Sequence, residues 1–315
     1  MKLSDIGEFG LIERLMPLVA AESPDLIVGP GDDAAAWRVG GQLIIATTDT
    51  MVDGVHFRSE TGGWRDLGWK ALAVNVSDVA AMGGTPTNAL VTLCLPPELD
   101  VAAVDELYAG LMECAGEYGV MVVGGDVVRS QVIAVTVALF GAGTERDGQP
   151  ALLLRNGAKA GDLIAVTGTL GDSAGGLRRM DDGAGGDDPL VGRHLRPTPR
   201  VATGQAAVAA GVRCGLDVSD GLLQDLGHVC EMSGLGAILQ ADAIPISDEL
   251  RAAYPDEALG MACAGGEDYE LLIVGSKDKI DSLPVTVIGE MVDGAGVRLI
   301  DDKGFDRAGW DAFQS

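Results

Sequence analysis

VGPGDDAAAW, residues 28 to 37, carries two signals that pull in opposite directions. Gly29, Gly31 and Ala34 fit the G-x-G-x-x-A spacing of a turn that cradles phosphate at the head of a helix. Asp32 and Asp33 put two negative charges where that phosphate would lie. A dinucleotide fold also needs a helix directly after the glycines, and here AAAWRVGGQ runs into Gly40-Gly41 after about two turns. That fold is set aside, although Asp53 stands at a suitable spacing downstream. A divalent cation between the aspartates and a phosphate would reverse the sign of the interaction.

Outward from this loop, strand-like and helix-like segments alternate. QLIIATT (42–48), VMVVGG (120–125) and VIAVTVALF (132–140) are β-branched runs. Residues 64–82 and 101–118 have helical length, the first closed by Gly83. GAGTERDGQP (141–150) breaks the pattern and reads as a linker. Beyond it follow a strand at 162–168, helices at 199–210 and 220–233, and a strand at 269–275. MDDGAGGDDP (180–189) reads as a surface loop. Two α/β domains meeting near residue 145 is the expectation.

The 315 residues are enough for two such cores. A net charge of −25 argues against a nucleic-acid footprint or an anionic-lipid surface, both of which want a basic face. The five cysteines lie in apolar stretches with no C-x-x-C, as expected of buried thiols in a reducing compartment. The N-terminus lacks a signal-peptide core and no apolar run has membrane-spanning length, so the chain reads as cytoplasmic.

The carboxylates carry the sharper information. Leu67, Ala71, Val74 and Asp78 share one helical face, and Leu72, Val76 and Val79 make the rest of the helix apolar too. An ionised Asp78 there needs either a base, such as Lys70, or a cation. TTDT (47–50), GGD (124–126) and DVSDG (217–221) place further carboxylates at strand ends, where ligands of α/β sheets gather. Singly each reads as a turn or cap, and Ser219 or Asp220 would cap the following helix. Together they read as a polycarboxylate cation site. With only three scattered histidines and oxygen ligands from Asp and Thr, Mg²⁺ fits better than zinc. A calcium-binding module is the non-catalytic alternative, although 180–189 lacks an EF-hand pattern.

GPGDDAA, TTDTMVDGVHF, KALAVNVSDVAAMG, GGDVVRS, LDVSDGL and GGEDYEL occur in the order found in thiamine-monophosphate kinases. The chain resembles that family, part of the superfamily of aminoimidazole-ribonucleotide synthetase, from about Gly7 to Trp310. The resemblance implies an α/β (α+β) protein of two domains. Residues 1–145 would form a mixed-sheet domain, helices on one side, that binds metal and ATP and pairs into a homodimer. Residues 146–315 would form an α/β sandwich completing the cleft. It implies transfer of the ATP γ-phosphoryl group to thiamine monophosphate, with several Mg²⁺ ions. The implied metal ligands are Asp33, Thr47, Thr48, Asp49, Asp78, Asp126, Asp217 and Asp220. ATP contacts fall on Gly125, Asp126, Arg155 and Ser219, and substrate contacts on His56, Glu267 and Trp310. No residue is implied as a covalent nucleophile. Val127 stands where members of the family often carry a hydroxyl. Read alone, Arg155 is a surface base, His56 a turn residue, Glu267 a helix-end partner and Trp310 an aromatic plug. An aminoimidazole-ribonucleotide synthetase-like ligase is the nearest enzymatic alternative.

Overall fold

A computed structural model describes residues 2–19, 23–60 and 63–300. The first sheet is built from β1 (Leu26–Val28), β2 (Ala35–Val39), β3 (Gln42–Val52), β4 (Thr85–Leu95), β5 (Met121–Arg129) and β6 (Ala134–Ala142), in the order β1-β2-β3-β6-β4-β5. All neighbours are antiparallel except β4 and β5, which run parallel. The glycine-rich loop of residues 29–31 therefore opens into strand β2, and the Gly40-Gly41 turn returns the chain along β3.

Helix α1 (Gly7–Val19) precedes this sheet, while α2 (Trp64–Ala81) and α3 (Val101–Tyr118) cover one of its faces. Alternation decides which side chains meet them. Val135, Val137 and Leu139 of β6 and Ala89, Val91 and Leu93 of β4 pack into the helical core. Thr136, Ala138, Leu90 and Thr92 occupy the opposite, partly open face. Helix α2 is buried on nearly every side, including polar Lys70, Asn75 and Ser77. It approaches α3 so closely that a Cβ on Gly68 would lie 1.8 Å from the Leu107 carbonyl oxygen, and one on Gly110 would lie 1.7 Å from that of Arg65.

The segment read as a linker instead folds into a hairpin of β7 (Thr144–Arg146) and β8 (Gln149–Ala151). Asp147 and Gly148 both adopt positive φ, 53° and 74°, the requirement of a two-residue type I′ turn.

The second sheet contains β9 (Leu163–Val166), β10 (Cys214–Asp217), β11 (Gly236–Gln240), β12 (Leu271–Gly275), β13 (Thr286–Val292) and β14 (Gly296–Ile300), ordered β10-β12-β9-β13-β11-β14. Helices α4 (Asp172–Asp181), α5 (Pro189–Leu195), α6 (Val201–Ala209), α7 (Leu222–Ser233), α8 (Asp248–Ala253), α9 (Ala258–Ala264) and α10 (Lys277–Ile280) surround it. Ile164, Val166, Leu272 and Val274 face the core shared with α7 and α9. Ala165, Leu271 and Ile273 face the other way, towards α6, α10 and Ala81 at the end of α2. The sheet is thus covered on both faces, and α2 serves both halves of the molecule. Among the described residues no helix is long and apolar enough to cross a membrane.

Gly68→Ala forces a carbonyl and a methyl into the same space, so α2 and α3 must separate. We expect a loss of at least about 1–3 kcal/mol, the usual cost of overpacking, read as a lower urea midpoint. An unchanged midpoint would show that the helices cross less closely.

Candidate active site

A cleft of about 910 Å³ lies between the two sheets and takes its walls from both. At its base, β3 contributes Thr47 and Asp49, α2 contributes Asp78, and β10 contributes Asp217. The 29–33 loop brings in Asp32 and Asp33. Thr47 and Asp49 point the same way because they are two residues apart on one strand. The Thr47 hydroxyl donates to Asp78 Oδ2 at 2.6 Å. Ser77 hydroxyl donates to Asp217, and the Asn75 side-chain oxygen accepts from the Asp49 amide at 3.0 Å. The polar residues of α2 therefore fasten two strands from different sheets.

Arg155 is the positive group of this base. Its Nε and guanidinium Nη2 both donate to Asp33 Oδ1, at 3.0 and 2.5 Å, and its amide donates to Asp32 Oδ1 at 3.1 Å. Lys70 does not pair with Asp78. It lies two turns earlier on α2, about 12 Å along the axis, and pairs with Glu267 instead.

With a single guanidinium beside them, the carboxyls resist ionisation. Burial pushes Asp78 well above the usual carboxylate range, and Asp49, Asp217 and Asp33 push it further against the Thr47 hydrogen bond. Burial followed by Asp33 raises Asp217 to about 8. Burial raises Asp49 and Asp33 as well, Arg155 opposing the shift at Asp33. Asp32 rises to about 6 through burial and then its neighbour Asp33. Asp33 Oδ2 is buried and accepts no hydrogen bond from any described residue. Hard oxygens near enough to perturb one another, one of them orphaned, suit a divalent cation such as Mg²⁺.

Around the base, the segment 219–221 is shaped by a residue that sequence reading passed over. Neither Ser219 nor Asp220 caps α7; its N-cap is Gly221. Asp225, one turn inside the helix, folds back to accept the amides of Ser219, Asp220 and Gly221 at 3.0–3.1 Å. This sets Ser219 and Asp220 at the cleft wall. Asp220, Asp225 and His228 bring ligand atoms within 4.8 Å of one another.

His56 and Glu267 also line the cleft. His56 Nδ1 accepts the Val52 amide at 3.0 Å. Glu267 and Tyr269 sit at positive φ, 64° and 52°, held by the Glu267 amide to Ser219 carbonyl and the Tyr269 amide to Val218 carbonyl, 2.7 and 2.9 Å. Such backbone is costly at non-glycine residues, and here it occurs twice in one segment of the cleft wall.

Thr48 lines the cleft but turns its hydroxyl to another partner, and Gly125 and Asp126 are not among the cleft's lining residues. The Thr48 hydroxyl donates to the Val137 carbonyl at 3.0 Å, away from the Thr47–Asp78 contact. Asp126 is on edge strand β5, in a row with Thr92, Thr136 and Thr50 on the open face. Three strand spacings, about 14 Å, separate it from Thr50. Gly125 beside it has a structural reason to be glycine: a Cβ there would lie 1.8 Å from the Val91 carbonyl oxygen. Trp310 lies outside the described residues.

Comparison with known proteins agrees with this architecture. Residues 31–144 match the model of the AIR synthase related protein N-terminal domain, and 159–302 match that of its C-terminal domain. The thiamine-monophosphate kinase of Aquifex aeolicus is 36% identical over 99% of this chain and 100% of its own length. That of Mycobacterium tuberculosis is 37% identical over 99% of this chain and 93% of its own. The solved structure of AaThiL complexed with AMPPCP and TMP superposes with a TM-score of 0.88 at 36% identity, over 99% of this chain and 98% of that one. Escherichia coli HypE, a hydrogenase maturation protein, shares the fold at 21% identity and a TM-score of 0.68.

The raised carboxyls set the sign of a pH effect. A carboxyl titrating near 3.8 when unfolded but near 8 in the fold, as Asp217 does, keeps its proton on folding, so stability falls as pH rises between those values. His194, lowered from 6.5 to about 4 by burial and then Lys70, acts oppositely below about 6.5. The clean window is therefore about pH 6.5 to 8. Chelator-treated protein should lose melting temperature across it, and Mg²⁺ should restore more at about pH 8 than at about pH 6.5. Asp217→Asn should weaken both trends, with Asp268, also raised to about 8 by burial, sustaining part of the first; a flat profile in the unsubstituted protein would contradict the assignment.

Proposed function

The chain belongs to the AIR synthase related family and, within it, to the thiamine-monophosphate kinases, and from that premise we propose that it phosphorylates thiamine monophosphate with ATP to give thiamine diphosphate. The observation that carries this reading is the grouping of Asp33, Asp49, Asp78 and Asp217, which perturb one another's ionisation, in the lining of one two-walled cleft, with one buried oxygen left unpartnered.

The chemistry suits what these residues can do. The acceptor is a phosphate whose second pKa is near 6, so it is already largely ionised at neutral pH. No general base is required, and no covalent nucleophile is invoked. The obstacle is repulsion between two polyanions, about 4 kcal/mol for each pair of unit charges 4 Å apart at an effective dielectric of 20. Several Mg²⁺ ions, held by Asp33, Thr47, Asp49, Asp78, Asp217 and Asp220, would supply the opposing charge. Arg155 adds a fixed positive group, and the rigid α2 and β3 hold the carboxylates so that donor and acceptor phosphates lie in line. Ser219 would contact ATP from the 219–221 segment, and His56 and Glu267 would line the acceptor end. Transfer is then direct, with no phosphoenzyme.

The open face of the first sheet supports a homodimer. Met121 and Val128 of edge strand β5 are 63% and 43% exposed, and they share this face with Leu90, 39% exposed. Exposed apolar side chains grouped on a sheet face suit an association surface. Pairing two N-terminal domains there would turn Asp126, and with it Gly125, towards the partner. The free and mostly buried cysteines support a reducing, cytoplasmic setting.

Purified protein given Mg²⁺-ATP should release ADP with thiamine monophosphate and not with free thiamine or formylglycinamidine ribonucleotide. Asp78→Asn should lower turnover by at least about 100-fold with an unchanged circular dichroism spectrum. Near-normal turnover would remove Asp78 from the reaction.

A further inference from the structure

Lys70 is 3% exposed, yet it is among the residues that line the cleft. It stands on α2, in the N-terminal half, and its partners belong to the C-terminal half. The ammonium lies 3.1 Å from Glu267 Oε1 and 3.5 Å from His194 Nε2. His194 Nδ1 is in turn 2.9 Å from the Ser173 hydroxyl and 3.7 Å from Glu267 Oε2. An ammonium can only donate, so Nε2 facing it is an acceptor and the ring proton sits on Nδ1, directed to Ser173 and Glu267. Both Glu267 oxygens are thus flanked by donors.

Two consequences follow for Glu267. Burial alone would raise its carboxyl, but Lys70 and then His194 outweigh that and hold it below the usual range. Its charge is also largely cancelled by an ammonium at hydrogen-bond distance. A compensated carboxylate attracts a cationic ring weakly and works chiefly as a directed acceptor. The nearby backbone is constrained as well, since Glu267 is held in left-handed φ by its bond to Ser219.

We propose that Lys70 is a positioning residue for the acceptor substrate: it fixes Glu267 across the domain boundary as a hydrogen-bond acceptor that selects acceptors carrying a ring amino donor. This rests on the kinase reading above, in which the acceptor's aminopyrimidine is the donor. Lys70 stands about 12 Å along α2 from Asp78, so it acts on acceptor recognition and not on the phosphoryl cluster.

The test is a double-mutant cycle of Lys70→Met, Glu267→Gln and both together, with Lys70→Arg as the conservative variant. Acceptor KM, ATP KM, kcat and the calorimetric Kd for thiamine monophosphate are measured for each. Lys70→Met should raise acceptor KM and Kd about tenfold or more while ATP KM and kcat stay within about twofold. Lys70→Arg should recover part of the loss, and the double variant should be no worse than Glu267→Gln alone. An unchanged acceptor KM in Lys70→Met, or losses that multiply in the double variant, overturns the proposal. Should Lys70→Met not fold, Lys70→Gln, which keeps a donor on a similar stem, is read in the same way: a raised acceptor KM supports the assignment and an unchanged one overturns it. Wild-type protein that binds but does not phosphorylate thiamine monophosphate would sink the kinase reading and leave the Lys70 assignment to be decided on Kd. Wild-type protein that does not bind it overturns both.

Discussion

Mutual repulsion among buried carboxylates is the constraint around which this molecule is organised. Asp33, Asp49, Asp78 and Asp217 come from a loop, a strand, a helix and a second sheet; the other three make Asp78 harder to ionise, and Asp33 and Asp49 do the same to Asp217. Arg155 relieves one of them directly, and the hydroxyls of Thr47 and Ser77 relieve two more. A fold optimised for stability alone would not retain this arrangement, because unpaired buried charge costs several kcal/mol. The cluster makes sense as a receptacle whose missing positive charge arrives with its ligands.

Helix α2 is what makes such a receptacle buildable. It is covered by α3 and the first sheet along most of its length, and its far end joins the core of the second sheet through Ala81. From Lys70 onward its polar side chains are few and all are used: Asn75 on β3, Ser77 on β10, Asp78 in the cluster, Lys70 on Glu267. A helix packed so tightly that Gly68 and Gly110 touch opposing backbone cannot rotate to relieve the repulsion. Rigidity of the scaffold and strain of the site therefore share one origin. In the proposed reading, discrimination of the acceptor rests on Lys70, two turns earlier on the same helix, and Glu267, so one element serves phosphate chemistry and ring recognition.

The legible parts of this in the sequence were those with local causes. Asp78 stood out because the helix around it is apolar on all sides, and the same reasoning applied to Asn75 and Ser77 would have found their roles. The Gly40-Gly41 turn excluded a dinucleotide fold without reference to tertiary structure. Strand β4, by contrast, begins Thr-Pro-Thr-Asn, which has the composition of a loop, and its pairing with β6 and β5 overrides that local preference. The 141–150 segment looked like a linker because Asp147-Gly148 is turn chemistry, and the short strands flanking it are too brief to register. Asp225 was hidden by its position inside a helix, where a carboxylate usually faces water rather than three backbone amides. The Lys70–Glu267 contact joins distant parts of the chain, so nothing near either residue announces it.

Crystals grown with Mn²⁺ and a non-hydrolysable ATP analogue would test the central claim most directly, through anomalous scattering from the metal. The account predicts peaks bridging nucleotide phosphates and the carboxylates of Asp33, Asp49, Asp78 and Asp217, with Asp33 Oδ2 among the ligands. Nucleotide bound in the cleft with no anomalous density at those oxygens would contradict it.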